Sequence, residues 1–315
     1  MEKDMSEIWV YSEDITITKQ LLTLAGDLAQ KSGRKVSAIT LAEDKAVELG
    51  QCGADTVYLI KDNSLWPESY AKTIADLTAK YQPELFLIGG TLRGKDLAAK
   101  VAASVQTGLV SDAFSVRIGS DGFETDRLMY GGLVISTELL SKGCLVTVPA
   151  RLFDPMQVDS SLSAEIVKIE AINDNRLSIG EVHPIVHEGA DIGTADKVVG
   201  FGRGVGKQED IKLIEALADA LGAEVGCTRP IAEDAQWLPM ERYIGISGQK
   251  ITPSFYLTVG ISGQVQHIAG VRDSKLIVAI DINENAPIFA AADYGIVGDY
   301  VKIVPALISA IQKAK

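Results

Sequence analysis

Phe255-Tyr256-Leu257-Thr258-Val259-Gly260-Ile261-Ser262-Gly263-Gln264-Val265-Gln266-His267-Ile268-Ala269-Gly270 decides how the C-terminal half of this chain is read. The first five residues form a short apolar and β-branched run, the pattern of a strand buried on both faces of a parallel sheet. Two glycines and a serine then fill a strand-to-helix turn, with Gln266 and His267 at the start of the helix. Such a turn gathers backbone N–H, hydroxyl, amide and imidazole groups around an anion or a heterocycle. A lone histidine is ordinarily structural, but the donors around His267 make it a candidate ligand contact.

Working outward, the preceding strand is expected over Lys197 to Phe201 and runs into Gly200-Phe201-Gly202-Arg203-Gly204, with a helix from about Glu209 to Leu221 capped by Gly222. Glycines there let backbone approach a phosphate at a positive helix end. The motif is not a full GxGxxG, and a tight connection with a surface arginine stays open as an alternative. Ala223-Glu224-Val225 reads as the next strand and leads to Gly226-Cys227-Thr228-Arg229-Pro230. Open α/β sheets bind ligands at the carboxyl ends of their strands, although Arg229 by itself is equally a solvated charge. Downstream, a strand over Lys275 to Ile280 ends at Asp281, which suits either ribose hydroxyls or a turn cap. A closing helix is expected over Val301 to Lys313.

The N-terminal half has the same alternation. Strands are expected at Glu7 to Tyr11, Val36 to Leu41, Thr56 to Ile60 and Leu85 to Ile88, with helices at Ile17 to Lys31, Pro67 to Tyr81 and Arg93 to Val105 between them. Leu21, Leu24, Ala25 and Leu28 keep the i, i+3, i+4, i+7 spacing of a buried helix face. From Gly108 to Ile172 the pattern shortens to strands and turns, including Val116 to Ile118, Leu133 to Ser136, Leu145 to Val148 and Glu165 to Ile169. Between Asn173 and Ala195, Gly180, Pro184, Gly189 and Gly193 interrupt every periodicity, as a linker does. The expected fold is therefore α/β in two domains, residues 1–188 and 189–315. Each has a mainly parallel sheet flanked by helices, and the second is doubly wound.

Composition narrows the function. With 315 residues, 47% hydrophobic and 23% charged, the chain is sized for two ordinary cores. A net charge of -12 disfavours nucleic acid, which requires clustered Lys and Arg. No apolar run reaches membrane-spanning length and Met1 to Met5 lacks a signal-peptide core, so no membrane insertion and a cytoplasmic location are expected. Three cysteines without a CxxC pair read as reduced structural thiols. His183 and His187 stand four apart, but Pro184 between them breaks a shared helix face, so no metal site is expected.

Together these features spell a family. Lys197 to Lys315 closely resembles the C-terminal domain of electron transfer flavoprotein alpha subunits, through GISGQVQHIAG at 260–270, VAI at 278–280, APIF at 286–289 and ADYGIVGD at 292–299. The N-terminal half is similar more loosely, through Leu87-Ile88-Gly89-Gly90, Arg93-Gly94-Lys95-Asp96, Thr107-Gly108-Leu109-Val110-Ser111-Asp112 and Tyr130-Gly131-Gly132. Tyr-Ile-Gly-Ile-Ser-Gly at 243–248 and the short N-terminus resemble the FixB/CaiB-like branch.

The resemblance implies FAD in the C-terminal domain. It carries cofactor contacts onto Arg203, Thr228 and Arg229. It does the same for Ile246 and Ser247, where the family commonly has Gln-Thr, and for Gly260, Ser262, Gly263, Gln264, Val265, Gln266 and His267. Asp281 stands where the family usually has asparagine, and Asp299 and Tyr300 match the last cofactor positions. On this reading Arg229 and His267 stabilise negative charge on the reduced ring and Ser247 reaches flavin N5. The implied partners are a beta subunit in a heterodimer, contacting the N-terminal domain, and an acyl-CoA dehydrogenase-like or quinone-reductase-like redox protein. No acid, base or nucleophile constellation is evident, which fits an electron carrier better than an enzyme. A bifurcating flavoprotein using NADH and ferredoxin, a pyridine-dinucleotide enzyme and a purely structural dinucleotide-binding module are the alternatives.

Overall fold

Residues 6–61, 67–172, 180–181 and 191–314 are described in the computed structural model, and they fall into two compact units, Met1–His183 and Pro184–Lys315. The expected boundary at 188/189, the histidines 183 and 187, residues 1–5 and most of the expected linker lie outside the described residues.

In the first unit the chain runs β1 (Glu7–Tyr11), α1 (Ile15–Ser32), β2 (Lys35–Thr40), α2 (Glu43–Gln51), β3 (Thr56–Lys61), α3 (Ala71–Tyr81), β4 (Leu85–Gly89), α4 (Leu92–Val105) and β5 (Leu109–Val110). It continues through β6 (Ala113–Ile118), β7 (Phe123–Met129), β8 (Val134–Leu139), β9 (Cys144–Val148) and β10 (Glu165–Glu170). Seven strands form a parallel sheet in the order β10-β3-β2-β1-β4-β9-β5. Period-two alternation feeds both faces: Ile8 and Val10 pack with Leu21 and Leu28 of α1, whereas Trp9 and Tyr11 pack with Ile74 of α3 and Leu97 of α4. Asp14 fixes the start of α1 by accepting from the Thr16 and Ile17 amides, and Gly33 in the left-handed region ends it.

Some elements of this unit were not read from the sequence, β5, β7 and α2 among them. β7 carries Glu124, Asp126 and Arg127, which conceal its alternation. It is held between β6 and β8 as an antiparallel sheet in which Arg117 bridges Glu124 and Asp126, and Arg127 Nε donates to Glu138 at 2.7 Å. α2 is nine residues long and lacks a side-chain cap.

The second unit runs β11 (Lys197–Phe201), α5 (Ile211–Leu221), β12 (Glu224–Cys227), β13 (Phe255–Val259), α6 (Val265–Ile268), β14 (Ile277–Asp281), α7 (Ile288–Ala291), β15 (Tyr294–Val297) and α8 (Tyr300–Ala314). All five strands are parallel, in the order β12-β11-β13-β14-β15. One face buries Val199, Phe201, Leu257 and Val259 beneath Ile214 and Leu217 of α5 and Val304 of α8. The other buries Val198, Tyr256 and Ile277 against Ile244, Ile251 and Val271. Each such side chain contributes about 1.5–3 kcal/mol when fully buried. Sheet order reverses between β11 and β13, and in open α/β sheets that reversal leaves a crevice at the carboxyl ends of the two strands.

Candidate functional site

At this crevice the glycines act through space rather than flexibility alone. A Cβ on Gly204, after β11, would lie 2.6 Å from the Gly260 Cα, and Gly260, after β13, holds φ +62°. The two turns therefore touch, joined by Gly204 N–H donating to the Gly260 carbonyl at 3.0 Å. Gly263, at φ +80°, runs so close to α7 that a Cβ there would sit 2.3 Å from the Ile288 nitrogen. Folded this way, the Ser262, Gly263, Gln264 and Val265 N–H groups donate to no protein acceptor among the described residues. Uncommitted consecutive amides are an anion-binding surface.

Above them opens a cleft of about 540 Å³, lined by Arg203, Thr228, Arg229, Ser247, Ser262, Gly263, Gln264, Gln266, His267 and Asp281 among the residues expected from the sequence. A smaller hollow of about 80 Å³ is lined by Gly260, Asp299 and Tyr300, and shares Gly204 and Asp281 with the cleft. Ile246 and Val265 do not join either lining. Both side chains are exposed, and Ile246 is tied by its backbone N–H to the Gln266 carbonyl at 2.9 Å. Gly204, Pro230, Tyr243, Ile244 and Ile261 complete the cleft. Tyr243 and Ile244 open the Tyr-Ile-Gly-Ile-Ser-Gly stretch but were not expected to line the site; they arrive through a bridge between Cys227 and Tyr243 at the end of β12.

The electrostatics are uneven. The Arg203 guanidinium makes no ion pair among the described residues, whereas Arg229 Nη2 donates to Glu233 at 3.0 Å and Nε to the same carboxylate. His267 is buried, with Nδ1 3.2 Å from the Ile244 carbonyl and Nε2 2.8 Å from the Tyr256 hydroxyl. A carbonyl only accepts, so Nδ1 bears the proton and Nε2 accepts from Tyr256. Burial lowers the imidazole pKa to about 4. The expected stabilisation of negative charge by His267 thus has no cation behind it: the ring is neutral near pH 7 and both its nitrogens are bonded within the protein. Asp281 accepts from the Asn283 amide at 2.8 Å, Asp299 caps α8 through the Val301 amide at 2.9 Å, and Tyr300 donates to Asp210 at 2.7 Å. These three hold the edge of the site in place as well as lining it.

Residues 191–272 match the family model for the electron transfer flavoprotein FAD-binding domain, and residues 10–174 match that for the electron transfer flavoprotein domain. The chain belongs to the electron transfer flavoprotein alpha family. Among the relatives of this alpha-family chain, YdiR of Escherichia coli K12, a provisionally named electron transfer flavoprotein subunit, is 37% identical over 98% of this chain and 99% of its own. FixB proteins of Salmonella typhimurium LT2 and Escherichia coli O157:H7 are each 36% identical over the same shares.

The cofactor of the family's C-terminal domain is FAD. The site fits it: four amides and the Arg203 guanidinium, none of them partnered among the described residues, and the hydroxyls of Thr228, Ser247 and Ser262 edge a cleft whose volume lies within the 300–1,000 Å³ of small-molecule sites. The matched stretch contains every expected contact from Arg203 to His267, while Asp281, Asp299 and Tyr300 lie beyond it. The alpha-family protein is an electron carrier by kinship, and among the described residues no helix is long and apolar enough to cross a membrane.

Proposed function

We propose that the protein is the alpha subunit of a heterodimeric electron transfer flavoprotein that passes electrons between an acyl-CoA dehydrogenase-type partner and a second redox protein. Its Met1–His183 unit would contact the beta subunit, and its Pro184–Lys315 unit would hold FAD. The observation that carries the reading is the switch-point cleft itself, rich in donors and poor in proton-transfer machinery. The histidine in its lining has both nitrogens engaged, so it is not free to act as a general base.

FAD, when bound, supplies the one- and two-electron chemistry. The protein's residues would divide the remaining work. The Ser262–Val265 amides and Arg203 suit the pyrophosphate; Asp281, an acceptor, suits a hydroxyl-bearing ribose; Arg229 offers a charge and Ser247 a hydroxyl at the cleft mouth, toward the ring. Thr228, Gly260, Gln264, Gln266, His267, Asp299 and Tyr300 would shape and close the same site, with Ile246 and Val265 at its rim.

The test is anaerobic reduction of the coexpressed heterodimer. Catalytic amounts of an acyl-CoA dehydrogenase with its acyl-CoA substrate are expected to bleach the flavin, while NADH alone leaves it oxidised. Direct reduction by NADH, together with two FAD per heterodimer, would replace this reading with the bifurcating one.

A further inference from the structure

Tyr243 is buried, lines the cleft, and is clasped by two glycines: a Cβ on Gly248 would meet its ring at 2.5 Å, and one on Gly245 its hydroxyl at 2.9 Å. Its phenolic oxygen lies 2.9 Å from Ser247 Oγ, and among the described residues that is the hydroxyl's partner. Ser247, by contrast, is exposed at the cleft. Geometry alone permits either oxygen to donate. Burial decides between them, because among the described residues a phenolic proton turned away from Ser247 would have no acceptor, and an unsatisfied buried donor is costly.

Tyr243 therefore donates to Ser247, which fills one acceptor position on Oγ and leaves the serine proton for the cleft. We propose that Tyr243 is a positioning residue that makes Ser247 a one-way donor toward the flavin ring, and so helps set the flavin potential. This rests on the reading of the cleft as the FAD site. A hydroxyl that already accepts a hydrogen bond is also a stronger donor, since bonded hydroxyls polarise one another.

The experiment is a double-mutant cycle on the FAD-loaded heterodimer, using Tyr243→Phe, Ser247→Ala and the double variant, with the one-electron potential and the FAD dissociation constant measured for each. Phenylalanine keeps the ring in its glycine clasp. Tyr243→Phe is expected to lower the equilibrium constant for one-electron reduction about fivefold, or about 40 mV at 59 mV per tenfold. In the Ser247→Ala background the same change is expected to have no effect on the potential. An unshifted potential in Tyr243→Phe, or a shift that persists undiminished without Ser247, would overturn the proposal while leaving the FAD reading intact. A wild-type heterodimer with no FAD would overturn both.

Discussion

His267 illustrates what single residues say and withhold. Its place in a glycine-rich turn after a buried strand identifies it as a site residue from sequence. Its charge does not, because neutrality comes from burial of the ring in the folded domain, which outweighs the opposite pull of the Ile244 carbonyl, 23 positions away, on Nδ1. The folded pKa of about 4 lies below the ordinary 6.5. Between those values the unfolded imidazole takes up a proton that the folded one refuses. This group's contribution to stability is therefore constant above about pH 6.5 and falls as pH drops toward 4, by about 2 kcal/mol at pH 5. Urea unfolding of the wild type and of His267→Gln at pH 7 and pH 5 checks this: the acid-induced loss is expected to be smaller in the variant, and equal losses would contradict it. Arg229 differs, since it keeps its charge at any working pH. Arg229→Ala is expected to lower the one-electron potential of the bound flavin by on the order of 50–150 mV, from the loss of one charge-assisted bond, which a redox titration reads.

At the scale of elements, the turn after β13 depends on Gly263. Alanine there would face both a left-handed φ and a contact at 2.3 Å with the start of α7. Gly263→Ala is expected to weaken FAD binding at least about tenfold, from displacement of the Ser262–Val265 amides. Fluorescence titration of the apoprotein measures it, and unchanged affinity would show that the loop yields without loss. At the other end of the chain, Asp14→Ala removes the cap of α1 and is expected to cost about 1 kcal/mol in unfolding of the first unit without altering FAD affinity. The strands and helices with clean periodicity were legible to within a few residues, α1 and β13 among them. β7 was not, because charge pairs to β6 and β8 stabilise it where apolar alternation is absent. Nor was the arrival of Tyr243 and Ile244 at the cleft, since only the pairing of residue 243 beside β12 brings them there.

For the whole molecule, the alternation of strands and helices fixed two α/β units, and the order of pairing supplied the rest. Each unit has cores on both faces of its own parallel sheet. The second turns its sheet order between β11 and β13, and residues scattered from 203 to 300 converge at that point or beside it. No local motif states that convergence; the kinship with FAD-binding alpha subunits does. The most direct measurement is the visible absorption spectrum of the chain coexpressed with its beta subunit, with the cofactor identified after denaturation. One FAD per alpha chain, released intact, is the predicted result. A colourless heterodimer, or a released cofactor other than FAD, would contradict the account.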